Sequence, residues 1–157
     1  LGARRIGHGV NLITDPDLML IMRDGPALIE INLISNLLLD YVDDYSQHPF
    51  PEYLRTGIPV ALSTDDRGMW DSTMTDEFFV ATTEFNLSWD EIKQLNVNSL
   101  KYSFVDEDTK QKLLTHYDKR VISFEETMTR EGMKSLRAVD PDIRSFICKE
   151  YQLCTLK

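Results

Sequence analysis

The run Ile58-Pro-Val-Ala-Leu-Ser-Thr-Asp65-Asp66-Arg67 constrains this chain most. An apolar, β-prone segment stops at two adjacent carboxylates, and a helical pattern resumes within about ten residues. A short apolar strand of this kind suits a parallel α/β sheet covered on both faces. In such sheets ligands and reacting groups gather beyond the carboxyl ends of the strands, where helix N-termini converge. Adjacent aspartates after a strand also serve as turn formers or helix N-caps, because their short side chains accept hydrogen bonds from nearby backbone N–H groups. Spacing alone leaves both readings of Asp65 and Asp66 open.

Composition narrows the class. At 157 residues, with 42% hydrophobic and 10% aromatic residues, the chain can bury the core of one domain. A net charge of -9 argues against a general nucleic-acid or membrane-surface role, which needs a basic face. Cys148 and Cys154 form neither a disulfide framework nor a zinc-finger pattern, and they suit a reducing, cytoplasmic compartment. No apolar run approaches about 20 residues and no signal-peptide pattern opens the chain. The first residue is not Met, so the natural N-terminus is expected upstream.

In chain order, Leu1 to Val10 reads as a short strand with His8 at its carboxyl end, between two glycines that let ligand or backbone approach the imidazole. Thr14-Asp15-Pro16 opens a helix whose apolar face is Leu18, Met19, Ile21 and Met22, and Gly25-Pro26 closes it. Ala27 to Leu33 is the second strand, with Ser35-Asn36 in the loop beyond it. Leu37 to Gln47 suits a long loop over the mouth of a site. His48-Pro49 precedes a short helix ended by Gly57, and His48 reads as a structural histidine. Ile58 to Thr64 is the third strand. Helices follow at Thr73 to Phe85, from the Ser88/Glu91 capping box to about Tyr102, and from Asp106 to about Tyr117, with Trp89, Ile92, Leu95 and Leu100 as core candidates. Residues 120–157 read as a helical or loosely attached extension.

The ordered series Arg5-Ile6-Gly7-His8-Gly9-Val10, Ser35-Asn36, His48-Pro49, Gly57 and Ser63-Thr64-Asp65-Asp66 closely resembles the adenosine/AMP deaminase family of zinc-dependent amidohydrolases, from about Arg4 to about Tyr117. The resemblance implies that residues 1–119 are the C-terminal part of a (β/α)8 TIM-type barrel, with about three of its parallel strands. It implies a zinc-dependent hydrolase converting adenosine to inosine and ammonia. In that reaction a metal ion lowers the pKa of bound water to about 7 and so supplies hydroxide at neutral pH. Residue by residue, it makes Asp65 a metal ligand, Asp66 the carboxylate facing the purine edge, and His8 the group beside the attacking water, stabilising charge as the tetrahedral centre forms.

Other parts of the family's machinery have no counterpart. The family holds zinc with a His-X-His pair, a further histidine and an aspartate, and it uses a glutamate as proton donor; this chain contains only His8, His48 and His116. A whole barrel takes roughly 250 residues. The expectation is therefore a fragment, inactive alone, that needs the N-terminal part of the barrel. Its partner is a purine nucleoside, and no nucleic acid or membrane is expected. Arg67-Gly68 stands where relatives commonly have proline after the aspartates, and a guanidinium there leaves AMP or another adenine nucleotide as the alternative substrate. A surface ion pair of Arg67 with Asp71 or Asp76 is the structural alternative. An alternative of another class is a non-catalytic barrel remnant with a binding or structural role.

Overall fold

The computed structural model describes residues 2–138 and 145–153. Three strands, β1 (Arg5–Gly7), β2 (Leu28–Ile31) and β3 (Val60–Leu62), form a parallel sheet in the order β1-β2-β3. Register pairs Ile6 with Ile29 and Ile29 with Val60, so Ile6, Ile29, Ile31, Val60 and Leu62 share one face, as the period-two alternation of strands requires. The opposite face carries Arg5, Leu28, Glu30 and Ala61. There Arg5 Nε pairs with Glu30 across the strands, and Arg5 Nη1 donates to the carbonyl of Tyr102.

Helix α1 (Pro16–Asp24) links β1 to β2. It starts where Asp15 accepts from the backbone N–H of Leu18 and proline occupies the first turn. Only Met22 of its expected apolar face is buried, and Met19 packs against the core. Leu18 and Ile21 remain exposed, because no described element covers their side of the sheet. Leu18 flanks the open edge of β1, where Ile6, Gly9, Leu12, Leu18, Met22 and Ile29 line an apolar groove. Strand β1 is shorter than expected: after His8 the chain tightens into a 3-10 turn, Val10–Thr14.

Helix α2 (Leu33–Leu38) follows β2 directly and α3 (Phe50–Arg55) precedes β3. Two expectations are corrected here. Ser35 and Asn36 lie in a buried helix, not a loop, and the segment from Leu37 to Gln47 is not one long loop, since it begins as the end of α2, closes in a 3-10 turn at Tyr45–Gln47, and buries Val42 and Tyr45. Beyond β3 come α4 (Arg67–Trp70), α5 (Met74–Phe85), α6 (Trp89–Lys101) and α7 (Glu107–Glu131). Both α5 and α6 open on complete capping boxes, Thr73 with Asp76 and Ser88 with Glu91. Leu95 is core, whereas Trp89 is half-exposed, packing on Phe124 and donating to Glu125. The last of these helices does not stop near Tyr117 but runs unbroken to Glu131, because nothing in its sequence breaks a helix before Gly132.

Helix α8 (Ser145–Glu150) sets Phe146 and Ile147 into the core, and Tyr151 donates to Glu84 on α5. Cys148 is disulfide-bonded, which the reading of a reducing compartment did not expect. Among the described residues no helix is long and apolar enough to cross a membrane.

Gly9 holds the turn after His8 at φ 62°, and a Cβ there would come within 2.7 Å of Ile29 Cγ2 in the buried sheet face. Gly9→Ala is therefore expected to destabilise the chain by about 2 kcal/mol, part left-handed backbone cost and part overpacking. The midpoint and slope of urea unfolding check this; an unchanged midpoint would show that the turn adapts.

Candidate active site at the carboxyl ends of the strands

Parallel pairing continues one residue past the strands. His8 N–H donates to the carbonyl of Glu30 at 2.9 Å, and Ser63 N–H to that of Ile31 at 2.8 Å. His8 and Asp65 therefore arrive at the same end of the sheet. Both have left-handed backbones, φ 61° and 48°, a conformation that non-glycine residues adopt at a cost. Their side chains converge, with His8 Nε2 at 3.8 Å from Asp65 Oδ2. Ser35 Oγ donates to the same oxygen at 2.7 Å.

Neither aspartate serves as a local cap. Asp65 is held by a residue thirty positions away in sequence. Asp66 stands at the N-cap position of α4, yet its carboxylate accepts no capping bond and makes no hydrogen bond or ion pair among the described residues. Arg67 is exposed and forms no ion pair among them either: Asp76 is engaged by Thr73.

A buried layer supports His8. The side-chain amides of Asn36 and Asn32 both reach its Nδ1, at 3.0 and 3.2 Å. His48 lies beneath, its Nε2 at 3.0 Å from Asn36 Oδ1 and its Nδ1 accepting from Phe50 N–H at 3.1 Å. Burial pushes the His48 imidazole down to about 4, so the ring is neutral. The ring of Tyr41 meets His8 edge-on at 5.6 Å, and these two with Val10 and Asn11 border a hollow of about 280 Å³. Tyr53 on α3 fastens the turn that follows, its hydroxyl accepting from Ile13 N–H at 2.8 Å and facing the carbonyls of Gly9 and Val10.

Sequence reasoning missed Asn32 and Glu77. Asn32 sits at the N-cap position of α2 without capping it, because its amide is turned to His8. The orphan N–H groups are met instead by Glu77 on α5, fully buried, which accepts from Leu33 at 2.9 Å and Ile34 at 3.4 Å. Burial pushes the Glu77 carboxyl up to about 8 against these two bonds, with the charges of Asp76 and Asp65 adding to the rise. Neither residue had a detectable signal: the partners are 24 and 44 positions away in the chain.

Among the described residues no group of three or more His, Cys, Asp or Glu could hold a metal ion. Catalytic zinc takes about three protein ligands. Asp65 offers one, and both nitrogens of His48 are engaged. The residues present do not make a complete zinc centre.

A parallel sheet with an imidazole and a carboxylate brought together beyond its strand ends belongs to the α/β class, whose sites lie at that end. Known proteins narrow that class. The family model described as adenosine deaminase matches residues 1–120, and the chain belongs to that family. The adenosine deaminase of Enterococcus faecalis is 36% identical over 113 residues, 72% of this chain and 34% of that enzyme. Adenine deaminase from Arthrobacter aurescens matches with a TM-score of 0.71 at 28% identity, covering 75% of this chain and 36% of that one. An amidohydrolase from Burkholderia ambifaria, solved with bound Zn, shares the fold with a TM-score of 0.72 at 18% identity, over 81% of this chain and 36% of its own. The chain thus spans about a third of the length of these relatives, and its sheet is part of a TIM-type barrel.

A carboxyl whose pKa is raised by folding binds its proton more tightly in the folded state, so stability falls as pH rises from the ordinary carboxyl range to the folded value. Glu77→Gln removes that slope. Between pH 5 and 9 the stability difference is expected to move in favour of the Gln variant, mostly below about pH 8. Urea midpoints of both proteins across this range check it; parallel curves would place the Glu77 carboxyl at an ordinary value.

Proposed function

We propose that this chain supplies one wall of a purine deaminase site, acting on adenosine and water to give inosine and ammonia when the remaining barrel strands are present. The observation that carries this reading is the convergence of His8 and Asp65 from separate strands, each in a strained backbone conformation and each held by buried partners. Strain of this kind persists where surrounding structure imposes it, and it clusters at reacting sites. His8 directs Nε2 toward the space beside Asp65, where it can donate to the attacking oxygen and to the negative charge that grows on it. Asp66, unbonded and exposed, faces the edge of the purine. Asp65, fixed by Ser35, would be one ligand of a zinc ion, with the remaining ligands supplied by the missing barrel strands. Membership of the family and the zinc-bearing Burkholderia relative support that assignment.

A nucleotide is the second reading. Arg67 adjoins Asp66, is exposed and has no ion-pair partner among the described residues, so a substrate phosphate would find a free guanidinium.

The test is a fusion that joins the preceding two thirds of the Enterococcus faecalis enzyme to this chain in place of the matching third. The fusion is expected to release ammonia from adenosine, faster than from AMP, whereas this chain alone neither does so nor retains stoichiometric zinc after dialysis. In the fusion, Asp65→Ala should lose zinc. His8→Ala should keep zinc and lose about 100- to 1,000-fold in kcat with KM little changed. A folded, zinc-loaded fusion without deaminase activity would return the chain to a non-catalytic barrel remnant, and a preference for AMP would select the second reading.

A further inference from the structure

The buried hydrogen bonds beneath His8 form a directional series whose direction is set by a backbone group. Phe50 N–H is a donor and nothing else, so His48 Nδ1, at 3.1 Å, must be the acceptor. In the neutral ring the proton then sits on Nε2, which faces Asn36 at 3.0 Å and requires an oxygen there. With its oxygen committed to His48, Asn36 presents its NH2 to His8 Nδ1 at 3.0 Å. A nitrogen that accepts this bond carries no proton, and the His8 proton is left on Nε2, the atom facing Asp65 at 3.8 Å.

We propose that His48, acting through Asn36, fixes the tautomer of His8, so that the imidazole presents an N–H rather than a lone pair to the space beside Asp65. His48 and Asn36 are positioning residues. Their importance for turnover rests on the deaminase reading above, but their effect on the ring does not. The series decides what His8 can do. With Nε2–H it is a hydrogen-bond donor to the attacking oxygen; with the other tautomer it would offer a lone pair and act as a base.

Asn32 also donates to His8 Nδ1, at 3.2 Å, yet it cannot set the tautomer alone. Its Oδ1 is buried with no hydrogen-bond partner, so no bond at that oxygen resists turning the amide over to accept from a protonated Nδ1. Asn36 is different, because both ends of its amide are engaged and its oxygen is pinned by a ring that is itself pinned by the backbone. The neighbourhood of His48 is apolar on its other sides, with the rings of Phe50 and Phe85 edge-on at 6.5 and 6.4 Å. A phenyl ring at position 48 would fit that setting without being able to donate.

The experiment reads ring nitrogens directly. Long-range 1H–15N correlation spectra of the uniformly 15N-labelled chain at about pH 9, where imidazoles are neutral, separate protonated from bare nitrogens in each histidine. In the unsubstituted chain both His8 and His48 are expected as Nε2–H tautomers; Nδ1–H at either ring overturns the proposal whatever the variants do. Asn36→Asp replaces the NH2 with a second oxygen and should move the His8 tautomer ratio about fivefold or more toward Nδ1–H, the effect of one hydrogen bond. His48→Phe should move it the same way by less. Amide spectra establish that each variant is folded, and an unchanged His8 ratio in a folded Asn36→Asp chain overturns the proposal. In the fusion, both substitutions should lower kcat with little change in KM, while zinc content stays constant. A folded, zinc-loaded fusion that is inactive in its unsubstituted form would overturn the deaminase reading and leave the ring measurements to stand or fall on their own.

Discussion

Everything at the carboxyl end of this sheet depends on two backbone hydrogen bonds that extend the parallel pairing past the last strand residues. The bond from His8 to Glu30 and that from Ser63 to Ile31 carry the register of the sheet into its loops, so side chains from distant parts of the sequence meet without a flexible search. A slip of one residue between β1 and β2 would turn Ile6 off the face it shares with Ile29 and move His8 away from Asp65, and a slip between β2 and β3 would do the same to Val60, Leu62 and Asp65. Core packing and site geometry are therefore specified by the same bonds.

The helix that follows β2 shows how the polar groups were distributed. Asn32, at the position that would ordinarily cap α2, turns its amide to His8 instead, and the cap is supplied by a carboxyl group from another helix. A buried Glu77 is costly to ionise, but its two backbone bonds also anchor α5 against α2. Support for the imidazole and attachment of a helix beyond the barrel strands are thus one arrangement. Ser35 and Asn36 ride on the helix that Glu77 holds, the first touching Asp65 and the second touching His8.

Much of this could be read from the amino acids because the signals are local. The apolar run before Asp65, proline and Asp15 at the start of α1, and the Ser88/Glu91 capping box of α6 act through neighbours a few residues away, and their elements lie where expected. The family followed from short motifs in order. What stayed hidden is non-local. Nothing near Glu77 marks it as a cap for Leu33, and Ser35-Asn36 resembles a loop because serine and asparagine disfavour helix interiors until partners such as Asp65 and His48 satisfy them. His48 reads as structural from its neighbours and is buried, but its bond to Asn36 could not be read. The exposed face of α1 misled for the opposite reason, since apolar periodicity says which residues seek cover and not whether cover is within the chain.

The spacing of the strands along the chain also sets an order of events during folding. Helices α6 and α7 close on contacts between near neighbours, and such contacts form early. Strand β1 meets β2 only after the whole crossover through α1 has been gathered in, and β2 meets β3 after a longer one. Loop-closure entropy is spent on those pairings before their contacts return anything. The left-handed turns at His8 and Asp65 come at the end of that sequence, because the bonds that hold them exist only between completed strands. A refolding chain can therefore be helical and compact while its imidazole and its carboxylates are still far apart.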